Sequence, residues 1–316
     1  MNDWIENFHL EIEHIFAEAA AEIALFPAPM NEDGLALLDG CHPLRRSGGA
    51  NYISYLLPYW LNERLACDPA LCRDLAVGNI YAMLHFFLLD DAMDAGEKIK
   101  GESLRHSLVL GQLFHLLFER RYYRHFPAGS PVWARYEAYI ADWAAAVYDE
   151  GKAPPDPFDP RGIARKSAPV KLCAACLLLQ AGEEERLPFI EEAVDLALAT
   201  LQLADDWADW QCDLGEESGS VFLTLARRQL SLDAGVPLEE RAVKEAVYRH
   251  GCLDRLAELA EDNGRRLKEL PEVPAMLAAF HDAVAGGIRE DARKAEETTV
   301  TFASGGLSYF LTKLKE

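Results

Sequence analysis

Two aspartate clusters constrain this chain more than anything else in it: Asp90-Asp91-Ala92-Met93-Asp94, and Asp205-Asp206-Trp207-Ala208-Asp209 followed by Asp213. Each closes an apolar run of helical length, Tyr81 to Leu89 in the first case and Leu196 to Ala204 in the second. A carboxylate in such a place is costly unless a cation meets it. Asp90 and Asp94 lie about one helical turn apart and share a face, with Asp91 as a neighbouring or alternate ligand. Asp205, Asp209 and Asp213 recur at every fourth position along one stripe, with Asp206 beside it. Two such helices facing each other would build a carboxylate-lined mouth suited to Mg²⁺, a hard cation that keeps waters and phosphate oxygens in its shell. One cluster alone reads as a solvated helix end. Two, each directly behind an apolar run, point to a diphosphate bound through bridging magnesium ions.

The rest of the chain supports a helical frame around such a mouth. Ile5, Phe8, Ile12, Ile15 and Phe16 stand near helical spacing and predict a helix over about 5–25, broken by FPAPMNEDG. Further helices are predicted near 49–65 (with a kink at Pro58), 71–94, 101–124, 131–150, 163–181, 184–213, 217–230, 238–269, 271–289 and 306–315. Strand-like alternation is scarce. The expected fold is therefore all-α, a bundle of roughly ten to twelve helices around one cavity. The stretch GKAPPDPFDPRG at 151–162 is the strongest break and reads as a loop within one domain spanning 1–316, because the two clusters flank it.

Charge excludes several partners. Lys and Arg number 31 against 52 Asp and Glu, a formal net charge of -21. A nucleic-acid binder needs a basic footprint, and docking on an anionic membrane needs one too. No apolar run reaches the length of a membrane span, so no stable membrane insertion is expected. The opening MNDWIENFHLEIEHIF has no basic start and no uninterrupted apolar stretch, so it is not read as a secretory signal. The seven cysteines are odd in number and irregular in spacing, which predicts reduced thiols and a cytoplasmic setting. Cys173-x-x-Cys176 lies in an apolar helix and reads as core. His85 reads as a satisfied core histidine, and Arg120, Arg121 and Arg124 as a solvated helix end.

The segments FFLLDDAMD and QLADDWADWQCD resemble the two aspartate-rich motifs of the trans-isoprenyl diphosphate synthase superfamily, which includes prenyl elongases and the class I terpene synthases. Arg165-Lys166-Ser167-Ala168 stands between them, where elongases carry a Lys-Thr pair that touches diphosphate. The resemblance implies a Mg²⁺-dependent enzyme on a prenyl diphosphate, with Asp90, Asp91, Asp94, Asp205, Asp206, Asp209 and Asp213 as metal ligands and Arg165 and Lys166 on the diphosphate. Asp90, Asp94 and Lys166 would carry the ionisation. Phe86 and Phe87, about one turn before Asp90, would wall the substrate cavity, where bulk limits chain length in elongases. Homodimers are common in the superfamily and one is compatible with this chain.

Departures from the elongase pattern set the expected activity. The Gly-Lys-x-x-Arg-Pro segment that binds isopentenyl diphosphate is absent; the nearest stretch is His42-Pro43-Leu44-Arg45-Arg46-Ser47-Gly48-Gly49. Ala95-Gly96-Glu97-Lys98-Ile99-Lys100 replaces the Arg-Arg-Gly segment, and Gly215-Glu216-Glu217-Ser218 replaces a lysine after the second motif. A second diphosphate would lose much of its cationic site, and two anions are hard to hold side by side without one. The sequence reading is thus a class I terpene synthase, a lyase ionising one allylic diphosphate into an apolar, water-poor pocket. The rival readings are a prenyl transferase, by elongation or head-to-head condensation, and a non-catalytic helical protein with a vestigial metal site.

Overall fold

The length and placement of the apolar runs account for the architecture that forms. The computed structural model describes residues 3–45, 51–94, 101–148, 150, 155–214, 219–233 and 236–303. Among them are fourteen α-helical segments, all but two of nine residues or more, and no strand. They are α1 (Asp3–Glu6), α2 (His9–Ile23), α3 (Met30–Gly40), α4 (Tyr52–Leu65), α5 (Pro69–Asp94), α6 (Gly101–Tyr123) and α7 (Val132–Tyr148). After these come α8 (Pro160–Ala164), α9 (Leu172–Ala181), α10 (Leu187–Asp213), α11 (Val221–Gln229), α12 (Glu240–His250), α13 (Cys252–Glu269) and α14 (Ala275–Ala303). A 3₁₀ stretch, Arg165–Lys171, joins α8 to α9. None of the described helices is long and apolar enough to cross a membrane.

The chain divides by its internal contacts into two compact units. Unit 1 comprises residues 1–138, 169–188 and 274–276, and unit 2 comprises 139–168, 189–273 and 277–316. The Pro-rich stretch at 151–162 thus falls inside unit 2.

In unit 1, α5 is the central helix and packs against α2, α4, α6 and α9. It is apolar on nearly every face, with Leu71, Leu75, Val77, Ile80, Tyr81 and Leu84 all buried, which is what a helix enclosed by others requires. Gly78 lets α6 come close: a Cβ there would stand 2.8 Å from a Tyr122 ring carbon. The Tyr122 hydroxyl donates to Asn79 Oδ1 at 2.5 Å, and Asn79 Nδ2 donates to the Ser54 carbonyl at 2.7 Å, so a buried polar chain links α6, α5 and α4. Cys173 and Cys176 are buried in α9, and burial pushes the Cys173 thiol up to about 12, as an inert core residue requires.

Arg121 corrects the sequence reading. It is not at a solvated helix end but 1% exposed. Its guanidinium donates to Glu18 and Asp74 at 2.6 Å each and to Glu22 at 2.9 Å. These carboxylates come from α2 and α5, so one cation on α6 ties three helices. Asp74 also accepts from Arg124 at 2.7 Å and pairs with His125 Nε2 at 2.7 Å.

In unit 2, α11 packs against α12 and α13, and α12 against α13. Thr200 of α10, Asn263 of α13 and His281 of α14 form a buried polar knot, with Thr200 Oγ1 3.0 Å from His281 Nε2 and 3.1 Å from Asn263 Nδ2. The helix predicted over 238–269 is two helices, because Gly251 takes φ 66 between α12 and α13. The helix predicted to end at 289 instead runs to Ala303, and Arg289 binds Glu261 and Asp254 across to α13. At the other end of the chain, α3 starts inside the predicted break, directly after Pro29. The predicted C-terminal helix at 306–315 lies outside the described residues.

The Arg121 cluster sets a stability test. Arg121→Leu leaves three carboxylates without their shared donor and lowers the unfolding free energy by about 3 kcal/mol or more, read by urea unfolding. Bonds from His125 and Arg121 outweigh burial and hold the Asp74 carboxyl below its ordinary value. A depressed folded pKa contributes stability that is present above the ordinary value of about 3.9 and lost as pH falls through the folded one. Asp74→Asn therefore flattens the acid limb of the stability–pH curve below about pH 5; an unchanged limb would contradict the assignment.

Candidate active site

The first cluster lies at the C-terminal end of α5 in unit 1. Asp90 and Asp91 both reach solvent. They rim a cleft of about 190 Å³ whose other walls are Leu37, Cys41, Leu84, Phe87 and Leu88. Phe87 lines it, 40% exposed, whereas Phe86 packs edge-on against His85 with ring centroids 5.1 Å apart. His85 is buried, and its Nδ1 sits 2.8 Å from the Gly111 carbonyl, which accepts and so fixes the proton on that nitrogen. Burial brings its pKa down to about 4, so the ring is neutral near pH 7. The cleft thus has an apolar interior and a carboxylate rim. The side chain of Asp94 and the segment 95–100 lie outside the described residues.

The second cluster closes α10 in unit 2, and its four carboxylates do different things. Asp206 is buried, and both of its oxygens are engaged. Gln202 Nε2 donates to Oδ1 at 2.7 Å and the Val221 backbone N–H to Oδ2 at 2.5 Å. Asp206 thereby seats the N-terminus of α11, where Ser220 is the N-cap and accepts from the Leu223 N–H at 3.4 Å. Burial still raises its pKa, against those bonds and the pull of Lys166. Asp205 and Asp209 point outward at one-turn spacing. Asp205 keeps a solvent-facing edge, yet its carboxyl is pushed up to about 7, first by the protein crowded around it and then by Asp206 and Asp209. Burial and Asp206 push Asp213 up to about 6, with a Ser220 hydrogen bond opposing.

Cationic charge beside this cluster comes from Lys166, whose positive charge acts on both Asp206 and Asp213. Its ammonium is hydrogen-bonded to Glu150, a residue the sequence analysis passed over. The Glu150 Oε1 atom also takes the Gly219 N–H at 3.4 Å. The one signal for Glu150 is its place at the end of a helix, just before the Pro-rich stretch that leads to Lys166. Arg165 turns aside to Asp142 at 3.4 Å. Trp207 donates to Asp291 at 3.2 Å and packs edge-on to Phe222 at 5.2 Å.

The donor set is all oxygen, which suits Mg²⁺. Burial first, and neighbouring carboxylates second, disfavour the charged forms of Asp205 and Asp213, and a bound divalent cation would offset both effects. Among the described residues no three acidic, histidine or cysteine side chains converge as a ready-made cation cage.

Comparison with known proteins bears on the fold. No protein-family model matches the chain, and no curated protein sequence does. Solved structures do. Unliganded T. brucei FPPS, a farnesyl diphosphate synthase, superposes with a TM-score of 0.60 at 16% identity, covering 90% of this chain and 99% of that one. A small-molecule complex of the same trypanosomal protein gives 0.57 at 15% identity with the same coverage. The chain therefore has the all-α fold of the trans-isoprenyl diphosphate synthases, as the two motifs implied.

The division of labour among the aspartates is testable by stability alone. Asp206→Ala leaves the buried Val221 N–H unpaired and lowers the unfolding free energy by about 1–3 kcal/mol. Asp205→Ala, at an exposed and mutually repelling position, changes it by no more than about 0.5 kcal/mol. Equal losses in the two variants, in metal-free urea unfolding, would refute the distinction.

Proposed function

We propose that this protein is a Mg²⁺-dependent enzyme of prenyl diphosphates, of the transferase type, that lengthens an allylic diphosphate with isopentenyl diphosphate. The observation that carries it is the superposition on a farnesyl diphosphate synthase over 90% of the chain, with both aspartate clusters at helix C-termini. In this reading the chain acts as one catalytic domain. Asp90, Asp94, Asp205 and Asp209 are its principal metal ligands, with Asp91, Asp206 and Asp213 in support. Bound Mg²⁺ supplies Lewis-acid neutralisation of the departing diphosphate. Lys166 adds a charge-assisted bond to that diphosphate. The cleft formed by Leu84, Phe87 and Leu88 beside Asp90 takes the apolar tail and keeps water from the allylic cation.

A second reading, the terpene synthase that the sequence analysis favoured, keeps one specific support. The chain lacks the Gly-Lys-x-x-Arg-Pro and Arg-Arg-Gly segments with which elongases hold a second diphosphate. The sequence ranked this reading first; the fold comparison favours the transferase.

The test is an incubation of the full chain with Mg²⁺ and geranyl, farnesyl, geranylgeranyl or geranylfarnesyl diphosphate, each with and without isopentenyl diphosphate. Products are identified by mass spectrometry. A longer prenyl diphosphate that forms only when isopentenyl diphosphate is present is the expected result. Asp90→Ala and Asp205→Ala should each lower its rate at least about a hundredfold. A hydrocarbon or alcohol from one allylic diphosphate alone selects the synthase. No product under any condition sinks both readings.

A further inference from the structure

We propose that Glu150 is a positioning residue that sets the affinity of the second cluster for diphosphate, by occupying Lys166 as an internal stand-in for a phosphate oxygen. This rests on the diphosphate reading above. Three observations converge on it. The Lys166 ammonium is bonded to the Glu150 carboxylate. The same carboxylate oxygen lies 3.4 Å from the Gly219 N–H, immediately before the Ser220 cap of α11. Both groups sit at the start of α11 beside Asp206, whose carboxylate takes the Val221 N–H two residues after Gly219.

A lysine and a backbone N–H aimed at one anionic oxygen form the donor pattern that proteins present to phosphate. Glu150 fills that pattern with a carboxylate from the chain itself. The approach is close enough that a Cβ on Gly219 would meet Glu150 Oε1 at 3.3 Å. The Lys166 and Glu150 side chains keep 33% and 22% of their surface exposed, so the pair is reachable and can exchange partners. An arriving diphosphate must displace Glu150 before Lys166 can bind it, and that exchange subtracts from affinity. Were Glu150 instead a ligand of the metal–diphosphate complex, its removal would have the opposite sign.

Calorimetric titration with inorganic diphosphate at fixed Mg²⁺ separates the two. Glu150→Gln keeps the shape and removes the competing charge, and should bind about three- to tenfold more tightly than the unaltered protein. Glu150→Asp keeps the charge but shortens the reach to Lys166, and should show a smaller gain in the same direction. The Glu150→Gln gain should vanish in a Lys166→Met background. A purely structural role for Glu150, or a general effect of net charge, would not produce that dependence. Equal or weaker binding in Glu150→Gln, or the same gain with Lys166→Met, overturns the proposal while leaving the diphosphate reading intact. If the unaltered protein binds no diphosphate with Mg²⁺, both fall together. If Glu150→Gln does not fold, the Glu150→Asp titration decides, and no gain there counts against the proposal.

Discussion

The burial of Arg121 among Glu18, Glu22 and Asp74 is the interaction on which the first half of this molecule depends. It answers a problem set by composition, because a chain with 52 acidic and 31 basic residues cannot give every carboxylate a cation of its own. One guanidinium on α6 serves three carboxylates on α2 and α5, which its forked donors allow and a lysine ammonium would not do in the same geometry. The arrangement fixes α5 against its neighbours at Asp74, about four and a half turns before the helix delivers Asp90 to its end. An exposed carboxylate rim can be held in place only if the helix beneath it is rigid, and Gly78, Tyr122 and Asn79 add the close packing that makes it so. Deleting the buried cation would remove the donor that Glu18, Glu22 and Asp74 share and leave Asp74 and Glu22 to the more exposed Arg120, Arg124 and His125, which is why such a cluster is more costly to break than its net contribution suggests.

Unit 2 meets the same shortage differently. Asp206 receives a backbone N–H and an amide rather than a cation, and becomes part of the frame by seating α11. Lys166 is divided between Glu150, to which it is bonded, and the field of Asp206 and Asp213. Asp205 is left among protein atoms and like-charged neighbours, and burial first, then Asp206 and Asp209, raise its pKa. The inward-facing Asp206 has both carboxylate oxygens hydrogen-bonded, although burial still raises its pKa.

Much of the fold was legible in the sequence, because helical periodicity and length survive without tertiary information. The long runs ending in Asp94 and Asp213 are helices with those ends. The errors came where a local signal met a tertiary one. The helix predicted to stop at 289 runs on to Ala303, with Ala292 buried and Arg289 clamped to α13. Gly251 was read as interior and is a left-handed break. Arg121 looked like surface because neighbouring arginines and tyrosines form a polar run, and only the long-range approach of α2 and α5 buries it. The sequence named the candidate site only as a set of residue types. The division between Asp206 as frame and Asp205 as surface was not legible in it, because it depends on which side of α10 the start of α11 approaches.

Charge supply also frames the choice between one diphosphate and two. Arg165 is turned to Asp142, Arg228 to Asp156, and Arg45 to Asp39, so these arginines are already paired within the protein. Each would have to exchange a carboxylate for a phosphate, as Lys166 must with Glu150. Such exchanges are inexpensive at exposed pairs, where the existing bond contributes only about 0–1 kcal/mol. Arg45, exposed and four residues after the cleft-lining Cys41, is part of one such exposed pair. An absent basic motif weakens the transferase reading only if the basic residues that remain are held irreversibly, and the exposed pairs described here are not. A single-substrate enzyme would need no such exchange outside Lys166. The number of ion pairs that rearrange on substrate binding is thus the physical quantity that separates the two activities.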